Sequence, residues 1–427
     1  MYLKFIETFH GVGQGLFYSG IVICNSNRLS FVYDCGSAIN NKRFLEHEIK
    51  RFKYFLNKNS KNSILDLLVI SHFHADHVSG LEMLLENLNV DTVVIPYYPP
   101  IVRFYYALAN PNQDGWYYEF LRDPVTYLYN KGIKRVILIF GNGPEGEESG
   151  IPLPPSLEPP KDEEKKEIID KLPYSKPPNL DEEDEVKYNS LNTEGRLFYK
   201  DTNGYIFYEI CNIFWIFAFY NYEIPITGVN SFFKQNQIKE IIVNQELRKE
   251  IEKIYKQKIC ISLARNLNNT SLILYHGPYK NGLSFRFLES IDHFDSCSKC
   301  DSYGYYCFWR ECEGCFRKIK HGEHLKSIAT FLTGDIDLNF KFNSIVNHFR
   351  NYTNNVKTIL IPHHGSKKNW SEALFKNFQN SFYFPVSFGL KNKYRHPNCE
   401  VVFSILNNMR IPIFVNEVHT YKRCVLI

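Results

Sequence analysis

Ile70-Ser71-His72-Phe73-His74-Ala75-Asp76-His77 packs three imidazoles and a carboxylate into six positions, His72 to His77. The apolar run Leu65-Asp66-Leu67-Leu68-Val69-Ile70 before it reads as a buried strand, and Val78-Ser79-Gly80-Leu81-Glu82-Met83-Leu84-Leu85 after it has helical spacing. The cluster therefore sits on a strand-to-helix turn, where side chains converge on one point. Imidazole nitrogen and carboxylate oxygen suit zinc, and also manganese or iron. His and Asp are costly to bury without partners. A dense run of them beside a buried strand reads as a metal site rather than as a polar loop with chance histidines.

Other turns along the chain offer further ligands. Phe331-Leu332-Thr333-Gly334-Asp335-Ile336-Asp337 is a strand ending in a Gly-Asp turn, and Leu360-Ile361-Pro362-His363-His364-Gly365-Ser366 is a strand that breaks into a turn holding two histidines. Near the N-terminus, Gly11-Val12-Gly13-Gln14-Gly15 is a glycine-rich turn between strand-like segments. No helix opens after it, so it is not a phosphate-binding fingerprint. Strands are expected at Leu16 to Cys24 and Leu29 to Tyr33, the latter running into Asp34-Cys35-Gly36-Ser37, where Asp34 taken alone is a plain turn aspartate. Helical sequence covers Asn41 to Leu56, Trp116 to Tyr129 and Ile238 to Lys256, and short strands cover Val90 to Ile95 and Lys134 to Phe140.

The 427 residues suit one large domain with insertions, or two domains, and 44% hydrophobic with 16% aromatic residues supply an ample core. A net charge of +4 permits a phosphate-bearing substrate without arguing for one. The segment 141–190 changes composition: Gly, Pro, Glu and Lys dominate, as in Pro152-Leu153-Pro154-Pro155 and Asp181-Glu182-Glu183-Asp184-Glu185. Its apolar residues are too few to offset ordering entropy, so it reads as a loose or disordered surface insertion. The N-terminus alternates like a strand rather than a signal peptide. Tyr205 to Tyr222 is strongly hydrophobic, but Glu209, Asn212 and its β-branched and aromatic content point to a hairpin turning near Cys211-Asn212, not to a membrane span. These features predict a cytoplasmic protein without a membrane partner. Its eleven cysteines are then expected as metal ligands or free thiols rather than disulfides.

Four of those cysteines form a second cluster. Cys297-x2-Cys300 and Cys312-x2-Cys315 have the spacing of two thiolate knuckles, with Cys307, His321 and His324 nearby. Four thiolates close a tetrahedral site, so 290–325 is expected to be a small zinc-ribbon-like insertion holding one structural zinc.

The His72–His77 stretch resembles the HxHxDH motif of the metallo-β-lactamase superfamily. That resemblance implies a single domain over 1–427 in the α/β class, a four-layer αβ/βα sandwich interrupted by the two insertions. It implies two active-site divalent ions, zinc or manganese: His72 and His74 on one, Asp76 and His77 on the other. Thr333-Gly334-Asp335 resembles the superfamily's GD turn, making Asp335 the bridging ligand. His363-His364-Gly365-Ser366 resembles the HHGS turn, making His364 a ligand of the second ion and His363 a supporting or substrate contact. Asp34 matches the aspartate that supports the metal loop. The superfamily's usual histidine before the GD strand is missing: no histidine lies between His77 and His276, and the turn there is Asn268-Asn269-Thr270-Ser271. An amide oxygen from Asn268 or Asn269 is a weaker ligand and suits a harder ion such as manganese. With Val12-Gly13-Gln14-Gly15 and Tyr394-Arg395-His396-Pro397, the set resembles the soluble metallo-β-lactamase domain of ComEC-type DNA-uptake proteins over residues 1 to 100 and 260 to 427.

The function this implies is metal-dependent hydrolysis by a water acidified between two ions, with a phosphodiester, and so nucleic acid, as the first substrate class. A small-molecule hydrolase of lactones, thioesters or amides and a metal-binding regulatory protein are the alternatives. Asp76 is expected to orient the water. His396 reads either as the acid for the leaving group or as a surface histidine fixed by Pro397. Lys391, Lys393 and Arg395 are expected to hold phosphates.

Overall fold

The computed structural model describes residues 3–58, 64–141, 151, 168–176, 180, 182–211, 213–222, 235–255, 267–279, 288–293 and 327–426. Antiparallel strands β1 (Leu3–Phe9), β2 (Phe17–Cys24) and β3 (Asn27–Cys35) lead through helix α1 (Lys42–Lys58) to β4 (Ile64–Val69). The His72–His77 turn opens short helices α2 (Ala75–Val78) and α3 (Leu81–Leu85) before β5 (Asn89–Pro96). Helices α4 (Pro100–Ala109), α5 (Gly115–Arg122) and α6 (Pro124–Asn130) precede β6 (Arg135–Ile139). Then come β7 (Ile168–Asp170), α7 (Glu182–Thr193), β8 (Leu197–Lys200), the hairpin β9 (Tyr205–Ile210) and β10 (Ile213–Tyr220), and helices α8 (Gln235–Val243) and α9 (Gln245–Tyr255). The last part contains β11 (Ile273–Tyr279), β12 (Leu288–His293), β13 (Ala329–Leu332), α10 (Leu338–His348), β14 (Val356–Ile359), α11 (Ala373–Asn377), β15 (Tyr383–Ser387), α12 (Cys399–Asn407), β16 (Ile411–Val415) and β17 (Tyr421–Leu426).

These strands form a nine-stranded sheet ordered β12-β17-β1-β2-β3-β4-β5-β6-β8 and an eight-stranded sheet ordered β16-β15-β14-β13-β11-β10-β9-β7. Strand β10 shows why the two sheets stack. All eight of its residues are buried. Trp215, Phe217 and Phe219 enter the core shared with Phe5, Tyr33, Leu67 and Val94 of the first sheet, while Phe214, Ile216 and Ala218 face a separate core with Phe349, Phe378 and Ile405. Side chains alternate across a strand, so a strand covered on both faces must be apolar throughout. Beyond the first sheet, Leu45, Ile49 and Phe52 of α1 and Phe104, Tyr117 and Phe120 of α4 and α5 make the third core. Helices, two sheets and helices thus give the expected four-layer sandwich.

A buried ion pair ties the layers together. The Arg423 guanidinium Nε lies 2.7 Å from Glu7 Oε1, and both side chains are wholly buried. Glu7 also accepts hydrogen bonds from the hydroxyls of Thr330 and of Thr358, the latter at 2.8 Å. One carboxylate therefore links β1 and β17 of one sheet to β13 and β14 of the other.

Several expectations are refined here. Ile238 to Lys256 is two helices rather than one, because Asn244 Oδ1 accepts from the N–H groups of Glu246 and Leu247 and restarts the helix. The expectation of thiols rather than disulfides is corrected at one pair: Cys24 and Cys211 are disulfide-bonded, with Cα atoms 6.3 Å apart, since the β9–β10 turn lands on the end of β2. Within 141–190, the described residues include β7, which pairs with β9, and α7, whose Tyr188 is buried; residues 142–150, 152–167, 177–179 and 181, like Cys297, Cys300, Cys307, Cys312, Cys315, His321 and His324, lie outside the described residues.

Buried His348 donates its Nε2–H to the Phe219 carbonyl at 2.7 Å, and burial lowers its pKa to about 4 despite that bond. The unfolded chain takes up the proton first, near pH 6.5, so the stability this group supplies is present above pH 6.5 and is lost as pH falls toward 4. The loss amounts to about 3 kcal/mol at most. His348→Gln keeps a donor without the titration. Urea midpoints at pH 7 and pH 4.5 are expected to fall less for His348→Gln than for the unsubstituted protein; equal falls would refute this assignment.

Candidate metal centre

Four turns at the same end of the two sheets converge. The first follows β4 and carries His72, His74, Asp76 and His77; the others carry Asp34 at the end of β3, Asp335 after β13 and His364 after β14. Several of these turns use left-handed backbone: Asp34 has φ 57°, Gly334 56°, His363 47° and His364 54°. Non-glycine residues pay strain there, which persists only where surrounding contacts fix it. The glycine-rich turn contributes packing. A Cβ on Gly36 would come within 2.4 Å of the His77 backbone, and one on Gly15 within 2.6 Å of the Asp76 carbonyl. Leu16 N–H donates to that same carbonyl at 3.2 Å. Glycines at 15 and 36 thus let the N-terminal turns press against the ligand loop.

Each of three histidines has its Nδ1 engaged, which turns Nε2 inward. His77 Nδ1 donates to Asp34 Oδ2 at 2.7 Å, and Asp34 also accepts from Ser71 N–H and Oγ–H, each at 2.6 Å. His72 Nδ1 lies 2.8 Å from Ser71 Oγ and 3.3 Å from Ser271 Oγ. His364 Nδ1 donates to the Ser387 carbonyl at 2.8 Å. Inside, Asp335 Oδ1 is 3.3 Å from His77 Nε2 and Asp335 Oδ2 is 3.9 Å from His72 Nε2. His364 Nε2 is 3.2 Å from Asp76 Oδ2. Two constellations result, His72–His74–Asp335 and Asp76–His77–His364, each with its ligand atoms within 4.8 Å of one another.

The electrostatics are those of a site built for cations. Burial and the neighbouring imidazole of His77 push His72 well below the ordinary histidine range, and burial takes His74 to about 4. Burial works against charge on His77 too, yet the carboxylates of Asp335 and Asp34 raise its pKa well above normal. Asp335 is held well below the carboxylate range, against its burial, by the surrounding histidines. The buried Nε2 atoms of His72 and His77 have no hydrogen-bond partner. Inward-facing, orphaned imidazole nitrogens beside an ionised carboxylate fit divalent ions, which replace the missing partners.

The two asparagines separate. Asn269 Oδ1 is occupied by the Asp337 N–H at 3.1 Å, whereas Asn268 Oδ1 is buried without a partner and its amide Nδ2 donates to His363 Nδ1 at 2.9 Å. Asn268 thus contacts His363, the neighbour of His364. His396 sits beside His363, with ring centroids 6.1 Å apart, and burial with the nearby imidazoles lowers its pKa to about 4. That shift disfavours the imidazolium form of His396. Lys391, Lys393 and Arg395 are exposed on the segment leading to it. His276, the next histidine after His77, is remote from this chemistry and lies between the sheets on Tyr18. Ser71, Ser271 and the Ser387 carbonyl were not singled out from sequence; a hydroxyl residue directly before His72 was the available signal for the first.

No curated protein sequence matches the chain. Among solved structures, it is similar to the metallo-beta-lactamase fold protein YhfI from Bacillus subtilis, at 8% identity and a TM-score of 0.34, covering 98% of this chain and 99% of that one. It is similar to a long form RNase Z from yeast at 9% identity and a TM-score of 0.32, covering 98% of this chain and 41% of that one. Likenesses of that size carry no weight for substrate. No helix among the described residues is long and apolar enough to cross a membrane. Residues 15–166 match the family model of the metallo-beta-lactamase superfamily, and the His and Asp side chains that converge here could hold metal ions.

Proposed function

We propose that the chain is a phosphodiesterase acting on nucleic acid, with His72, His74, Asp76, His77, Asp335 and His364 holding two divalent ions. The observation that carries the substrate class is the exposed basic segment Lys391, Lys393 and Arg395, which runs directly into His396 at the side of the cluster. Bound ions would supply Lewis acidity and an acidified water. Asp76, whose side chain is 27% exposed, is placed to orient that water through a carboxylate oxygen. His396 donates a hydrogen bond to a phosphate oxygen, and the basic side chains anchor flanking phosphates. Incubation with single- and double-stranded DNA and RNA in the presence of zinc, manganese or magnesium tests this reading. Cleavage is expected, and it is expected to vanish in a His72→Ala, His74→Ala variant; activity confined to lactone, thioester or amide reporters would replace it with a small-molecule hydrolase.

Asn268 favours a second reading, a regulatory protein with weak or no catalysis. An amide oxygen donates less strongly than the imidazole it replaces, so the ion on His72 and His74 is expected to exchange readily and activity to rise more with manganese than with zinc. Asn268→His is expected to tighten that ion by roughly 10-fold or more, measured by equilibrium dialysis. Full two-ion occupancy without added metal, and no manganese stimulation, would show that Asn268 does not weaken the site.

A further inference from the structure

Three histidines of the metal centre have their rings set by an Nδ1 hydrogen bond: His72 by Ser71, His77 by Asp34 and His364 by the Ser387 carbonyl. His74 is the exception. Its imidazole makes no hydrogen bond among the described residues, yet it belongs to the His72–His74–Asp335 constellation. An imidazole free to turn is a poorer ligand, because binding an ion must then also stop that motion. A contact other than a hydrogen bond has to aim it.

Helices α4 and α5 hold the backbone on both sides of His74. The Phe73 carbonyl accepts from the Tyr117 hydroxyl at 2.8 Å, and the Ala75 N–H donates to Asn110 Oδ1 at 3.0 Å. Asn110 Nδ2 donates in turn to the Tyr106 carbonyl at 2.8 Å. The Tyr106 ring, wholly buried, meets the His74 imidazole edge to face, with centroids 4.9 Å apart and planes at 76°. His72 also meets His74 in this way, at 4.9 Å and 87°, but His72 is itself a ligand. Tyr106 is thus the one ring against His74, among the described residues, that does not belong to the ligand set. It is fixed at its far end too. Its hydroxyl lies 3.1 Å from Thr270 Oγ1 and 3.3 Å from the Leu267 carbonyl, and Tyr98 braces the same turn by donating to the Thr270 carbonyl at 2.7 Å.

We propose that Tyr106 is a positioning residue for the ion held by His72, His74 and Asp335. Contact with an immobilised ring does for His74 what the Nδ1 hydrogen bond does for the other three histidines. An edge-to-face pair has a preferred geometry set by the ring charge distributions, which an aliphatic side chain lacks. The proposal rests on the two-ion reading above. Tyr106 belongs to neither set of ligands, so its effect is on the affinity of one ion and not of the other.

Equilibrium dialysis of the full chain against manganese, in two backgrounds, tests this. His364→Ala leaves the His72–His74–Asp335 constellation, and His72→Ala leaves Asp76–His77–His364. In the His364→Ala background, Tyr106→Leu is expected to weaken manganese binding on the order of 10-fold. Tyr106→Phe keeps the ring and is expected to stay within about 2-fold. In the His72→Ala background neither substitution is expected to change binding by more than about 2-fold, and that binding also reports an intact fold. Tyr106→Met takes the place of Tyr106→Leu should the latter misfold. Equal weakening in both backgrounds would make Tyr106 a packing residue and overturn the proposal. So would unchanged binding in both, or a loss in Tyr106→Phe as large as in Tyr106→Leu. No manganese bound by the unsubstituted chain would overturn the two-ion reading itself, and the role of Tyr106 with it.

Discussion

Asp335→Asn is expected to reduce hydrolytic kcat/KM by about three orders of magnitude, equivalent to about 4 kcal/mol of transition-state stabilisation. The reason is geometric. Asp335 presents one carboxylate oxygen to His77 Nε2 and the other to His72 Nε2, so it reaches a histidine of each constellation. An amide of the same shape offers one good acceptor and turns a donor toward the other side. Its backbone supports remain: Asp335 N–H donates to Ser271 Oγ at 3.2 Å and its carbonyl accepts from Asn369 at 3.0 Å. The fold should therefore survive while metal content falls, read together as far-UV circular dichroism and elemental analysis of the same sample. An Asp335→Asn protein that keeps its metal and its rate would remove the shared carboxylate from the mechanism.

Arg423→Leu is expected to cost about 3–5 kcal/mol of stability, because it leaves the Glu7 carboxylate buried without its countercharge. The hydroxyls of Thr330 and Thr358 still donate to Glu7, but neutral donors do not offset a buried charge. Adding Glu7→Gln to Arg423→Leu removes that charge while keeping an acceptor for the threonines. The double variant should regain more than half of the loss in urea unfolding. A single variant of unchanged stability, or a double variant worse than the sum of its parts, would contradict this account of how the sheets are joined.

What could be read from sequence divides along a physical line. The ligand turns were legible because each is local: apolar strand, then a glycine or histidine break, then polar atoms that have no place in a core. The Tyr205 to Tyr222 hairpin was legible for the same reason, since hydrophobicity interrupted by Cys211-Asn212 is a short-range signal. Contacts between distant segments were not. Glu7 and Arg423 sit near opposite ends of the chain, and Cys24 and Cys211 are 187 residues apart, so no spacing rule could pair them. The compartment argument about cysteines is statistical and could not see that β2 and the β9–β10 turn abut. Asn268 and Asn269 were indistinguishable as letters. The 3-10 turn at Asn268–Thr270 decides between them by sending one amide to Asp337 and the other to His363. Asp34 illustrates the intermediate case. Its residue type said only turn, and it was the family resemblance that implied the support that its bonds to Ser71 and His77 provide.

Anomalous diffraction from crystals soaked in manganese tests the central claim most directly. The account predicts two peaks on either side of the Asp335 carboxylate, one contacted by His72 and His74 and the other by Asp76, His77 and His364, with the first peak weaker if, as proposed, Asn268 takes the place of an imidazole. No anomalous density among these six side chains, or density confined to sites elsewhere in the chain, would contradict it.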